Sequence, residues 1–299
     1  MQKISTTPPC QRLRHPFSRG LPALGAALLL ALGSPLCWGH GAIDERIVEL
    51  TADLAENPND AKLRFLLAEA YAQHEEWEPA MRSLARAEEL APGVFPADLV
   101  RGRILLGARR AEEAKVALDR FLAANPAQPQ ALVFRARSLA LLKMDAECLA
   151  DYRAALAAIR NPEPELFQEV SEALSTRDQM DEAVRVLAEG VEKLGPIPSL
   201  VLNAMRLEVA TGRFDAALSR VDAMQKSAPR PEPWMAKRAA LLGQAGRTDE
   251  ARAAWKALAA HLAALPNLER GSHSMSILAE QAQQALQRIS SATTRTTLP

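Results

Sequence analysis

Residues 112–148 read EEAKVALDRFLAANPAQPQALVFRARSLALLKMDAEC. The stretch opens on Glu112-Glu113-Ala114 and closes on Ala146-Glu147-Cys148, so a small residue returns in the same setting after 34 positions. Outward from it, Glu78-Pro79-Ala80 precedes, and Asp181-Glu182-Ala183, Asp215-Ala216-Ala217 and Asp249-Glu250-Ala251 follow. The small residues stand at 80, 114, 148, 183, 217 and 251, giving intervals of 34, 34, 34, 35 and 34. A fixed period of this length marks an array of stacked units. Prolines run in phase with it, at Pro58, Pro92 and Pro126 and then at Pro162, Pro196 and Pro229. Each ends a segment of helical apolar periodicity, because proline cannot continue the hydrogen-bond ladder. The unit is therefore helix, short turn, helix, short turn.

Composition agrees. The chain is 48% apolar and 24% charged, enough for a folded core, and only 4% aromatic. Ala, Leu, Glu and Arg dominate and favour helix, since Ala and straight side chains lose little freedom there. The fold class expected is all-α.

The markers resemble those of the tetratricopeptide repeat family, which asks for a large residue, Leu-Gly and Tyr in a first helix, then Ala, a large residue, Ala and Pro in a second. The first full unit supplies Leu67-Ala68, Tyr71, Trp77, Ala80, Leu84, Ala87 and Pro92. The second supplies Gly102, Leu105, Ala114, Leu118 and Pro126, and the third Ala136, Leu139, Cys148, Tyr152 and Ala155. The fourth has Phe167, Ser171, Leu174, Ala183, Leu187 and Gly190; the fifth Gly212, Phe214, Ala217 and Pro229; the sixth Ala239, Leu242, Gly246, Ala251 and Trp255. The resemblance implies a right-handed α-solenoid, a superhelix of stacked antiparallel helix pairs. Small residues fall where two helices approach at ~8–10 Å. Cys148 at such a slot reads as buried packing rather than a reactive thiol.

The expected organisation is a signal segment at 1–39, a half-repeat capping helix at 40–60, and six repeats at 61–265. A capping helix at 271–290 and a flexible tail at 291–299 complete it. Ile47, Leu50 and Leu54 share one face of the first cap; Met275, Ile277, Leu278, Ala282 and Leu286 share one side of the last, opposite its glutamines. Stacked repeats need such polar-faced ends for solubility.

Lys3, Arg12, Arg14 and Arg19 lead the chain with no acid before residue 40, and an apolar run, Leu21 to Leu36, follows. That order is a secretory signal, with cleavage expected after Gly39 or Gly41. The reading places the mature chain in the periplasm or outside the cell. The alternative is an uncleaved helix anchoring it to the inner membrane. Removing the leader leaves Cys148 alone, so no internal disulfide forms. The remainder carries 32 bases and 36 acids, which offers no general attraction to nucleic acid or anionic lipid.

No phosphate-cradling loop, metalloprotease pair or nucleophile elbow occurs, and His40, His74, His261 and His273 lack ligand spacing. Neither an enzyme nor a cofactor, metal or small-molecule substrate is expected. An exposed amino-terminal His40 as a copper ligand is the weaker metal reading. The resemblance implies instead a concave groove lined by first helices, binding a protein or peptide. Its phase brings Glu69, Arg103, Arg137, Glu172, Arg206 and Ala240 to the groove, with Phe65, Leu99, Val133, Gln168, Leu202 and Asn203 beside them. Arg103 and Arg137 are the candidates for a partner's carboxylates, through bidentate geometry. A set of Lys and Asn that clamps a terminal carboxylate in some family members is matched only by Asn203 and Lys237; Gln168, Glu172 and Pro233 depart from it. The competing expectation is a self-associating structural component of an envelope complex.

Overall fold

The computed structural model describes residues 37–296 and, among them, fifteen helices. Helix α1 (Cys37–Glu56) is followed by six pairs. These are α2 (Ala61–Gln73) with α3 (Trp77–Leu90), α4 (Ala97–Gly107) with α5 (Ala111–Ala124), and α6 (Pro129–Leu141) with α7 (Asp145–Ala158). Then come α8 (Pro164–Ser175) with α9 (Met180–Leu194), α10 (Pro198–Ala210) with α11 (Phe214–Ser227), and α12 (Glu232–Gln244) with α13 (Thr248–Ala264). A short α14 (Asn267–Arg270) leads into α15 (His273–Thr296). The signal segment, up to residue 36, lies outside the described residues, as does the side chain of His40.

Each pair turns in the same way. Glu75, Arg109, Lys143 and Asp178 have φ of 60°, 62°, 59° and 60°, and Gly212 and Gly246 take 73° and 75° at the equivalent positions. One left-handed residue lets the next backbone N–H reach the carbonyl five residues back, closing the helix end. Glu76 N donates to Tyr71 O at 2.9 Å, Met144 N to Leu139 O at 3.0 Å and Arg213 N to Glu208 O at 2.7 Å. Starts are set by side-chain caps or proline. Asp60 accepts from Leu63 N, Gln128 accepts from Ala131 N, and Pro129, Pro164, Pro198 and Pro233 sit in first turns, where a missing N–H costs nothing.

The small residues that gave the period are buried between the helices of each pair: Ala80, Ala114, Cys148, Ala183 and Ala217 are 0% exposed. The approach is tightest at Gly102, where an added Cβ would stand 2.4 Å from Leu118 Cγ. The core runs along the stack instead of gathering at a centre. One cluster extends from Leu118 to Leu207, and others continue it toward each end. Surface arginines tie neighbouring pairs together: Arg213 Nη1 meets Asp181 at 2.6 Å and Arg247 Nη1 meets Asp215 at 2.8 Å. Those acids lie in the first turns of α9 and α11, where the helix dipole favours them.

Helix α15 departs from the expected boundary, since it carries on through Thr296 and takes in most of the segment expected as a flexible tail. Nothing between Ser290 and Thr296 is Pro or Gly, and the hydroxyls of Ser290 and Ser291 return to Leu286 O and Arg288 O, both at 2.9 Å. Helix α1 likewise begins at Cys37, ahead of both expected cleavage positions. Among the described residues, no helix is long and apolar enough to cross a membrane.

Candidate partner-binding groove

The first helix of each pair supplies one row of the proposed groove. Consecutive first helices touch, α2 against α4, α4 against α6 and α8 against α10, which brings equivalent positions side by side. Glu69 and Arg103 meet with Nη2 to Oε1 at 3.8 Å, and Glu172 and Arg206 meet at 3.4 Å. The 34-residue phase therefore does gather these side chains.

Arg137 is held differently. Its Nε and Nη2 donate to the two carboxylate oxygens of Glu169 at 2.7 and 2.8 Å, and its guanidinium lies 5.8 Å from the centre of the Phe134 ring. Tyr152, on α7, donates its hydroxyl to the same Glu169 at 2.7 Å. The hydrogen bonds to Glu169 raise the Arg137 pKa against the opposing effect of burial. For Glu169 burial acts upward, and the hydrogen bonds from Arg137 and Tyr152 outweigh it, leaving the carboxyl below its ordinary value. Burial and the Glu169 hydrogen bond both push the Tyr152 phenol up. The bidentate face of Arg137 is thus filled by an internal carboxylate.

Arg103 is not so committed. Its Nε and Nη2 are shielded from solvent and have no hydrogen-bond partner, although the side chain as a whole keeps 27% of its surface. On α2, Phe65 is stacked on Phe95 with ring centroids 4.7 Å apart and planes 9° from parallel. Leu99, one turn before Arg103, is half-buried, and Leu202 is 36% exposed further along. Val133 departs from its expected place on the groove surface. It is 9% exposed and packs in the core, because its short side chain sits where α6 lies against α4. Gln168 accepts from Asn203 Nδ2 at 3.2 Å and donates to Ser199 Oγ at 3.1 Å, so these amides form an internal polar bridge. Ala240 is exposed.

Phe95, Glu169 and Leu141 escaped the sequence reading. Phe95 lies before the helix that the markers locate, and Glu169 is out of phase with the row it joins. Leu141, 45% exposed, follows Arg137 by four residues and so shares its helix face, a signal the spacing did contain. Among the described residues no group of three His, Cys, Asp or Glu stands ready for a metal ion.

No family model matches the chain, and no curated protein matches it. Solved structures do resemble it. PilW, a widely conserved type IV pilus biogenesis factor, superposes with a TM-score of 0.53 at 18% identity, over 64% of this chain and 89% of PilW. The C-terminal part of a TPR repeat-containing protein from Cytophaga hutchinsonii gives 0.50 at 13% identity, over 85% of this chain and 93% of that one. TTC0263, a thermophilic TPR protein from Thermus thermophilus, gives 0.48 at 19% identity, over 58% and 94%. At such identities the likeness concerns the fold.

Proposed function

We propose that this chain, an α-solenoid of tetratricopeptide type, is a non-catalytic interaction scaffold of the bacterial cell envelope that receives an extended segment of another protein along its first helices. Arg103 carries the reading. Its Nε and Nη2 are shielded and make no hydrogen bond among the described residues, with Glu69 only at ion-pair distance, 3.8 Å, on the face where successive first helices align. An unpaired buried donor is costly, and a partner carboxylate would relieve that cost. Neighbouring first helices lie ~10 Å apart, which an extended peptide spans in about three residues. Phe65, Leu99 and Leu202 would take its apolar side chains, with Glu69, Glu172, Asn203 and Arg206 setting polar contacts around them. Arg137, Gln168 and Val133 act as the fixed bed of the groove in this reading.

The basic, then apolar leader supports export to the periplasm or beyond. PilW, similar in fold, is a pilus biogenesis factor, which fits an assembly role for this chain without identifying its partner. The test is capture. The chain is immobilised, exposed to native envelope extract, and compared with an Arg103→Gln, Phe65→Ala variant of unchanged helical circular dichroism. A specific partner retained by the wild type and lost by about tenfold from the variant supports the groove. Equal retention by both would sink it.

A further inference from the structure

Arg64 is out of character with its place in the repeat. The equivalent residues of the later pairs are Asp98, Leu132, Phe167, Val201 and Met235. Leu132, Phe167 and Val201 are 4%, 0% and 3% exposed, so the position points inward. Asp98 is charged but answered, by Arg101 Nη1 at 2.6 Å and Arg120 Nη2 at 2.7 Å. Arg64 has no such answer. Its Nε is buried without a hydrogen-bond partner, and its Nη2 reaches only Pro58 O at 3.3 Å.

The side chain opens onto a groove of about 520 Å³ between α1, α2 and α3. Arg82 stands on its wall, with Thr51, Tyr71 and Ser83 bringing hydroxyls and Leu54 and Leu67 an apolar floor. No acidic side chain lines it. The comparable groove between α11, α12 and α13 also holds an arginine, Arg238, but there Asp222 lines the same space and pairs with it at 2.8 Å. Among the described residues, the first groove therefore has two arginines with no acidic side chain in its lining, and the buried Arg64 Nε makes no hydrogen bond. It lies on the side of the second helices, away from the row of Glu69 and Arg103.

We propose that this groove binds a phosphate monoester carried on an apolar group. A phosphate monoester brings about −1.5 to −2 charges at neutral pH, matching two guanidinium groups where one carboxylate would match one. Arginine's planar fork suits its oxygens, and the hydroxyls of Tyr71 and Ser83 add donors. Leu54 and Leu67 accept the apolar substituent. The site does not depend on the groove of the first helices, and either can fail alone.

Calorimetric titration of the full chain with phenyl phosphate tests it, with inorganic phosphate and phenylacetate as separate arms. The expected result is saturable one-site binding of phenyl phosphate, weaker binding of both controls, and a loss of about tenfold or more in affinity for Arg64→Leu and for Arg82→Gln. Leu132 already occupies the Arg64 position in the third pair, so Arg64→Leu should keep its helical circular dichroism and unfold at no lower temperature. Arg82→Gln alters an exposed residue and carries the test if the other variant folds poorly. Phenyl phosphate binding unchanged in both variants, its absence from the wild type, or phenylacetate binding as tightly would overturn the proposal.

Discussion

Glu169 does at one position what the surface pairs do loosely over the rest of the chain. Its carboxylate takes two hydrogen bonds from Arg137 and one from Tyr152, joining α6, α7 and α8. Such charge-assisted bonds are worth more than exposed pairs, and leaving a shielded partner unmet costs about 1–3 kcal/mol. Replacing Glu169 by Gln should therefore lower unfolding stability at pH 7 by an amount of that order, measured by urea titration. The pH dependence follows from the depressed carboxyl. A carboxylate held below the unfolded value, 4.5, contributes stability that is fully present above it and is lost as pH falls through the folded value. The gap between wild type and Glu169→Gln should narrow as the pH is taken below 4.5 and through the folded value; a gap that stays constant throughout the acid titration would refute the assignment. The period located Arg137 and could not locate its partner, because Glu169 belongs to a different row of the helix surface. A repeat phase tells which positions are equivalent. It does not tell which of two nearby acids a long side chain will choose.

At the level of the element, the turn within each pair explains how five residue types fill one conformation at six positions. Glu75, Arg109, Lys143 and Asp178 accept a positive φ that an L side chain adopts at a cost of about 1–2 kcal/mol. Gly212 and Gly246 adopt it freely, and a Cβ on either would meet nothing within 4 Å. The backbone alone then decides the effect of substitution. Lys143→Gly should stabilise by about 0.5–1 kcal/mol once the greater entropy of glycine in the unfolded chain is subtracted, and Gly212→Ala should cost about 1 kcal/mol. Thermal unfolding of the two variants checks the pair, and the same sign of change in both would contradict this account. The sequence shows the helices plainly, since small residues and prolines recur with the packing that needs them. It shows the left-handed turn only at the two glycines. At Lys143 or Asp178 the conformation is imposed by the hydrogen bonds that close the helix, and no residue type announces it. The length of α15 was hidden for a related reason: a run of Ser and Thr reads as tail, although the Ser291 hydroxyl bonds back to Arg288 O of its own helix.

At the scale of the whole molecule, the two outermost described helices, α1 and α15, differ from the repeats between them. Helix α1 holds the place of a second helix, and its register against α3, set by Pro58 and Pro92, is informative. Leu50 answers Leu84, and both are 0% exposed. Arg46, Glu49 and Asp53 answer Ala80, Ser83 and Ala87, the buried residues that let a first helix come close. All three charged residues are exposed, and Arg46 pairs with Glu49 at 3.3 Å. The inward face of α1 thus matches the repeat, while the face that would accept another helix is charged. At the far end α15 packs on α12 and α13 as α10 packs on α8 and α9, so it fills the place of a first helix. Among the described residues, α1 has no first helix paired with it and α15 no second helix. Joined head to tail they would form a complete pair, a heterologous contact that propagates without closing. The charges on α1 oppose that joining, because taking Arg46, Glu49 and Asp53 out of water is expensive. The wild type should accordingly sediment with a mass that does not change with concentration. Arg46→Ala, Glu49→Ser and Asp53→Ala together copy the packing face of α3 onto α1 and should make the mass rise with concentration. A variant whose mass stays flat, or a wild type that already associates, would show that the ends are not what keeps the stack finite.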